Sequence, residues 1–135
     1  EEREMIANRL MRTNDRFFLY PIRADAESRS AMLVDMAKRM NHLCSTPEFY
    51  NTITNNCTNN IVRHLNHISG RFVSPYRLGV MLPGYSDRVA YSLGLIDTDL
   101  SFGAMREKYH IDLQGHGLLD VKNFSSGIRR QFREQ

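Results

Sequence analysis

The sequence predicts a mainly α-helical segment with one or two short strands. Apolar residues recur at three- and four-residue steps after Ala26 and again after Cys57. A third such step, Phe124, Ile128 and Phe132, lies near the C-terminus. Strand character is confined to a short aromatic run, Arg16-Phe-Phe-Leu-Tyr-Pro-Ile22, which Pro21 ends.

The elements follow in order. Asp25 is placed to N-cap a helix over about residues 26–43, with Glu27 in its first turn. Its expected core stripe is Leu33, Met36, Ala37, Met40 and Leu43 or Cys44. Ser45-Thr46-Pro47 stops it, because proline cannot continue the hydrogen-bond ladder. A second helix runs from Cys57 to Ser69-Gly70, with Asn55 or Asn56 as its cap. Val73 to Tyr85 reads as loop, broken by Pro75, Gly79 and Pro83-Gly84. Ser86 or Asp87 starts a short helix carrying Val89, Ala90 and Leu93 and ending at Gly94. Asp99 or Ser101 caps a helical turn through Tyr109, Gly115-His116-Gly117 is a flexible joint, and a terminal helix spans about 123–132.

The chain has 135 residues, 41% of them hydrophobic, the length and apolar content of one domain with one core. No apolar run approaches the roughly 18 residues of a membrane span, and no signal peptide is visible. The opening Glu1-Glu2-Arg3-Glu4-Met5, with no initiator methionine, fits a segment of something longer. The net charge is +3, with positive charge concentrated at Arg129, Arg130 and Arg133. That face suits solvent first and anionic lipid second. With no tryptophan, glycine-rich RNA motif or zinc spacing, nothing supports nucleic acid. Cys44 and Cys57 are too few for a disulfide framework and read as independent thiols.

The most informative stretch is Asn51-Thr-Ile-Thr-Asn-Asn-Cys-Thr-Asn-Asn60. Counting back four from Ile61 places Cys57 on the face of Ile61, Leu65 and Ile68. A thiol in a first helical turn meets free N–H groups and the positive end of the helix dipole, which suits a nucleophile. It equally suits a buried cysteine packing as a small apolar residue. The asparagines cap the helix and bond to neighbouring loops, or Asn56 donates to a developing oxyanion. A thiol nucleophile needs a base within hydrogen-bond reach. His64 lies seven residues on, roughly 10 Å along the axis, which is too far, and His67 is farther. These two, with His42 and His110, read as surface or interface residues without metal-ligand spacing. His116 reads as solvent-exposed, and Asp97, Asp99 and Asp112 as loop or cap residues. No glycine pattern matches a dinucleotide or P-loop fingerprint, and no cofactor is implied.

Phe49-Tyr50-Asn51-Thr52 followed by Asn55-Asn56-Cys57-Thr58 resembles the signature of the Lnb N-terminal periplasmic domain family. Leu19-Tyr20-Pro21, Leu82-Pro83-Gly84-Tyr85-Ser86-Asp87, Ala90-Tyr91-Ser92-Leu93-Gly94-Leu95 and Phe124-Ser125-Ser126-Gly127-Ile128-Arg129 resemble family blocks in the same order. The resemblance spans nearly the whole chain.

It implies an α+β, papain-like fold in the full protein, with residues 1–135 as a single domain forming the C-terminal part of a larger one. It also implies a Gram-negative, periplasm-facing domain attached to inner-membrane helices. The better understood relatives are lipoprotein transacylases, so the implied chemistry is cysteine-dependent acyl transfer or hydrolysis on a membrane-derived ester or amide. The implied substrate is a lipid or lipoprotein at the inner-membrane surface. Carried onto this sequence, Cys57 is the nucleophile and Asn56 a positioning group. The family's partner histidine lies in a strand region upstream of the matched segment, and Glu1-Glu2-Arg3-Glu4 resembles the acidic block that follows it. Apolar faces exposed without those strands would favour self-association. The alternative is a non-catalytic periplasmic interaction or structural module.

Overall fold

The computed structural model describes residues 6, 9, 16–70, 72–111, 124–130 and 132. Met5, Asp112, Gly115-His116-Gly117, Arg133 and the Glu1–Glu4 block lie outside them. Almost all regular structure is helical: α1 (Ala26–Ser45), α2 (Cys57–Ser69), α3 (Leu78–Met81), α4 (Ser86–Ser92), α5 (Phe102–Lys108) and α6 (Phe124–Arg130), with a 3-10 turn at Pro83–Tyr85. Among the described residues β-pairing is limited to isolated bridges. By contacts the chain divides into Ile22–Ile96 and a unit made of Glu1–Pro21 with Asp97–Gln135.

In the Glu1–Pro21/Asp97–Gln135 unit, the aromatic run is extended and pairs antiparallel at Phe18 with His110. Leu19 N–H donates to the Tyr109 carbonyl at 3.0 Å and Ile111 N–H to the Phe17 carbonyl at 2.8 Å. The run is therefore a bridge rather than a full strand, since Pro21 has no N–H with which to extend the ladder. Its apolar side chains pack on the expected four-residue step: Phe124 and Ile128 are buried with Ile6 and Ile111, against Phe17, Leu19 and Phe132. The Ser101 hydroxyl caps α5 by accepting from the Ala104 N–H at 3.4 Å.

The Ile22–Ile96 unit is built on α1 and α2. Asp25 caps α1 as expected, its carboxylate accepting from the Ser28 N–H at 2.7 Å. The expected core stripe is not the buried one. Leu33 is 70% exposed and Met40 63%, and no α1 residue is fully buried. The helix instead turns Asp35 and Arg39, one turn apart, toward His64, His67 and Glu48, so polar pairing rather than apolar burial sets its rotation.

The face of α2 also differs from expectation. Thr58, Asn59, Val62 and His64 are buried, whereas Cys57 and Ile61 are exposed. Polar anchors fix this rotation. Asn66 clamps Val73 from both sides, donating to its carbonyl at 2.9 Å and accepting from its N–H at 2.7 Å. Asn59 donates to the Pro75 carbonyl at 3.3 Å. The core under this face is Val62, Val73 and Val80 with Val89 and Leu93.

Residues 73–85, expected as loop, contain α3 and the 3-10 turn. Burial of Val80 and the fit of Gly79 explain the difference. A Cβ on Gly79 would collide with the Val89 side chain and meet the Tyr85 carbonyl oxygen at 2.8 Å. The glycine thus marks close packing of α3 on α4 rather than a chain break. α4 ends as expected beside Gly94, at φ 68°. Gly79→Ala should destabilise the chain by roughly 1–3 kcal/mol, the usual cost of overpacking, measured by urea unfolding. Gly84→Ala, where a Cβ meets open space, is the matched control.

Candidate functional site

The asparagine-rich stretch folds as a tight hairpin leading into α2. Asn51 and Asn55 exchange backbone hydrogen bonds at 3.3 and 2.9 Å. The Asn51 side-chain oxygen accepts from the Ile53 and Thr54 N–H groups at 2.9 and 3.0 Å, an Asx-type turn. Asn55 donates to the Phe49 carbonyl at 2.9 Å, and Asn60 donates to Asn55 Oδ1 and to the Asn56 carbonyl. Each asparagine here bonds to a backbone group.

Asn56 is the centre of the arrangement. It is fully buried, and its Oδ1 accepts from the Asn59 N–H at 2.8 Å while Asn59 Oδ1 accepts from the Asn56 N–H at 3.2 Å. This reciprocal capping box satisfies two groups that a helix start otherwise leaves unpaired. The Asn56 amide also faces three carbonyls, of Thr52 at 2.7 Å, Met81 at 3.3 Å and Val80 at 3.4 Å. One side chain thereby ties the start of α2 to the hairpin and to α3.

Next to this buried anchor, Cys57 opens α2 with its thiol exposed. The exposure removes the reading of Cys57 as a buried apolar residue. Its polar neighbour is Thr58 Oγ1, 3.9 Å away. The N–H groups of Cys57 and Thr58 stand in the first turn, where no carbonyl of the same helix can reach them. Cys44 is also a free, exposed thiol, in the last turn of α1.

The structure brings together a second group of residues that sequence reasoning missed. Asp35 of α1 bonds two imidazoles of α2: Oδ2 to His64 Nδ1 at 2.6 Å and Oδ1 to His67 Nδ1 at 2.7 Å. These bonds hold the Asp35 carboxyl below its ordinary pKa. His67 is exposed, as the sequence suggested, but His64 is buried. Beside them Arg39 grips Glu48 in a two-point pair, Nη1 to Oε1 at 2.8 Å and Nη2 to Oε2 at 2.6 Å. This guanidinium, helped by Arg63 and Asn55, draws the Glu48 pKa down to about 2. Arg39 Nε is buried with no hydrogen-bond partner.

A cleft of about 270 Å³ lies over these groups, walled by Met36, Met40, Leu43 and Tyr50, with Arg39, Glu48, Asn55, Asn60 and His64 as its polar lining. With Nδ1–H donated to Asp35, a neutral His64 keeps Nε2 as its acceptor, the tautomer logic of an oriented catalytic imidazole. Cys57 does not line this cleft. Only a weak signal was available in the sequence: His64 and His67, three apart, share a helix face, but their carboxylate is 29 residues distant. Among the described residues no group of three or more His, Cys, Asp or Glu is arranged to hold a metal ion. Nor is any described helix long and apolar enough to cross a membrane.

Among known families, the model for the Lnb N-terminal periplasmic domain matches residues 1–82, which include the hairpin, Asn56 and Cys57. No curated protein and no solved structure matches the chain.

Two outcomes follow from this geometry. Asn56→Ala should cost about 2–4 kcal/mol in denaturant unfolding, combining a lost cap with lost bonds to buried carbonyls. Asn56→Asp should recover little of that, because its carboxylate keeps the cap acceptor but turns a negative charge on the same carbonyls. Because the Glu48 pKa is depressed, its stabilising contribution is complete above its ordinary value of 4.5 and is lost as pH falls toward about 2. A Glu48→Gln variant should therefore melt lower than the parent at neutral pH, and the gap should close on acidification through that window.

Proposed function

Because the chain belongs to the Lnb N-terminal periplasmic domain family, and so is a periplasmic domain, we propose that the intact protein is a cysteine-dependent acyltransferase or hydrolase with Cys57 as its nucleophile. The observation that carries this reading is the exposed Cys57 thiol, set on a helix start that Asn56 locks in place. A helix N-terminus favours developing negative charge, and a rigid first turn holds the attacking atom and its neighbouring N–H donors in one geometry.

The proposed step is attack of the Cys57 sulfur on an ester or amide carbonyl. An S–C bond forms and the C–O or C–N bond to the leaving group breaks. The thiol proton passes to a base and then to the departing group. The resulting thioester is resolved by an amine or by water, which restores the thiol. First-turn N–H groups of α2 are the available donors for the oxyanion. Asn56 acts as a positioning residue, through the cap and its carbonyl contacts. On this reading the base is a histidine upstream of the matched segment. The same reading has the full protein act at the periplasmic side of the inner membrane on a lipid or lipoprotein substrate.

The second reading, a non-catalytic interaction module, is favoured by the exposed apolar residues Leu33, Val34, Met36 and Met40 of α1. Self-association through that face belongs to this reading.

Alkylation separates the two. Cys44 and Cys57 are both exposed, so a difference in rate reports chemistry rather than access. With iodoacetamide at about pH 6–7, Cys57 should react roughly two- to fivefold faster than Cys44, the ratio that about 0.3–1 kcal/mol of helix-dipole stabilisation gives. In the full-length protein, Cys57→Ala should abolish acyl transfer. Equal alkylation rates, together with no Cys57-dependent acyl transfer by the full-length protein, would leave the interaction module standing.

A further inference from the structure

The cleft between α1, the hairpin and α2 has charges that are engaged with one another. Both oxygens of Glu48 accept from Arg39, and one also accepts from Asn55 Nδ2 at 3.3 Å. Each partner of this pair stabilises the charge of the other: Glu48 raises the Arg39 pKa, and Arg39 holds Glu48 at about 2. His64 is bonded to Asp35. A charged ligand would have to break one of these pairs to find a counter-charge, and a neutral ligand would not.

The hydrogen-bonding capacity left over is of one kind. Apart from the buried Arg39 Nε and the hydroxyl of the exposed Tyr50, two lining atoms carry no hydrogen bond among the described residues. One is Asn60 Oδ1. The orientation of that amide is fixed, because its nitrogen donates to Asn55 Oδ1 at 3.2 Å and to the Asn56 carbonyl at 2.9 Å. The other is His64 Nε2, an acceptor while Nδ1–H is donated to Asp35. Asn60 and His64 are four residues apart on α2, which puts the two acceptors on one face, about 6 Å apart at Cβ. Met36, Met40 and Leu43 of α1 supply the apolar wall. Water satisfies the acceptors but gains nothing from that wall, whereas a hydroxyl on a hydrocarbon satisfies both.

We propose that this cleft binds a neutral diol carrying a short alkyl chain. One hydroxyl donates to Asn60 Oδ1 and the other to His64 Nε2, and the chain lies along Met36, Met40 and Leu43. A hydroxyl keeps its bond to His64 in either protonation state, since it can accept as well as donate. The cleft, at about 270 Å³, is somewhat under twice the roughly 150 Å³ cavity that holds a benzene, room for about ten non-hydrogen atoms. Cys57 does not line it, so the site stands apart from the thiol chemistry proposed above.

The test is titration of the chain with 1,2-hexanediol at neutral pH, followed by NMR with the Asn60 side-chain amide and the His64 ring as reporters. Saturable shifts are expected at both, with a Kd on the order of 1 mM for so small a ligand. 1-Hexanol, which keeps one hydroxyl, should bind roughly fivefold more weakly, the contribution of one neutral hydrogen bond. 1,2-Dimethoxyhexane, which has no donor, should not saturate. Asn60→Ala and His64→Phe should each weaken the diol by a similar factor, with circular dichroism to show that they are folded, and the ligand series decides the matter if either is not. Cys57→Ala should bind as the parent does, so failure of the thiol chemistry leaves this result untouched. Equal binding of the diol and its dimethyl ether would overturn the proposal. So would non-saturating shifts spread along the exposed Leu33 and Val34, which would mark adsorption to an apolar surface. Tighter binding of hexylammonium or hexanoate would show that a charge pair opens for a charged ligand and would equally overturn it.

Discussion

The fully buried side chain of Asn56 is the constraint on which the Ile22–Ile96 unit depends. A helix start must find partners for its leading N–H groups, and a buried one cannot leave that to solvent. Asn56 supplies the partner for α2 and, with the other end of the same amide, fastens the hairpin before it and the short helix after it. Three backbone segments therefore share one side chain. Neither a hydroxyl nor a carboxylate could do this, because only an amide offers an acceptor and two donors together. The exposed position of Cys57 follows directly, since with Asn56 and Asn59 pointing inward the residue between cap and first turn points out.

The pairing of α1 with α2 rests on charge where a small domain usually relies on hydrocarbon. The Asp35 carboxylate of α1 bridges two imidazoles of α2, and Arg39 of α1 meets Glu48, in the segment between the helices, at two points. Directional bonds of this kind fix the rotation of a helix sharply but remove little apolar surface from water. The consequence is visible along α1, where Leu33, Met36 and Met40 remain exposed. That apolar strip and the polar seam are two results of the same rotation.

Two clefts flank this framework and differ in their lining. In the one over Asp35 and Arg39, every cation has its carboxylate, so the cleft offers shape, an oriented imidazole and apolar walls. The one beside α3 is lined by Arg77 and Arg88 together with the exposed Leu78 and Tyr85. Gly79 permits the second cleft by letting α3 lie directly on α4. Its place in the sequence, among prolines and glycines, suggested a break, whereas the space available shows a contact.

Local chemistry was legible in the sequence alone. Asp25 as a cap, the cap pairs Asn55/Asn56 and Asp99/Ser101 from which the structure takes Asn56 and Ser101, Gly70 and Gly94 as helix ends, and the Phe124–Ile128–Phe132 step all follow from groups within a few residues of one another. The family was legible as well, and the match over residues 1–82 bears it out; the blocks at 90–95 and 124–129 lie beyond that match. Which face each long helix buries was settled only by tertiary structure. Periodicity ranks faces by hydrophobicity, and here Asp35, Arg39, Asn59 and Asn66 outweighed it through bonds to partners 7 to 32 residues away. The fate of Cys57 belongs to the same class. The sequence placed the thiol at a helix start, and only the inward turn of Asn56 and Asn59, held by carbonyls of a distant segment, decided that it faces outward.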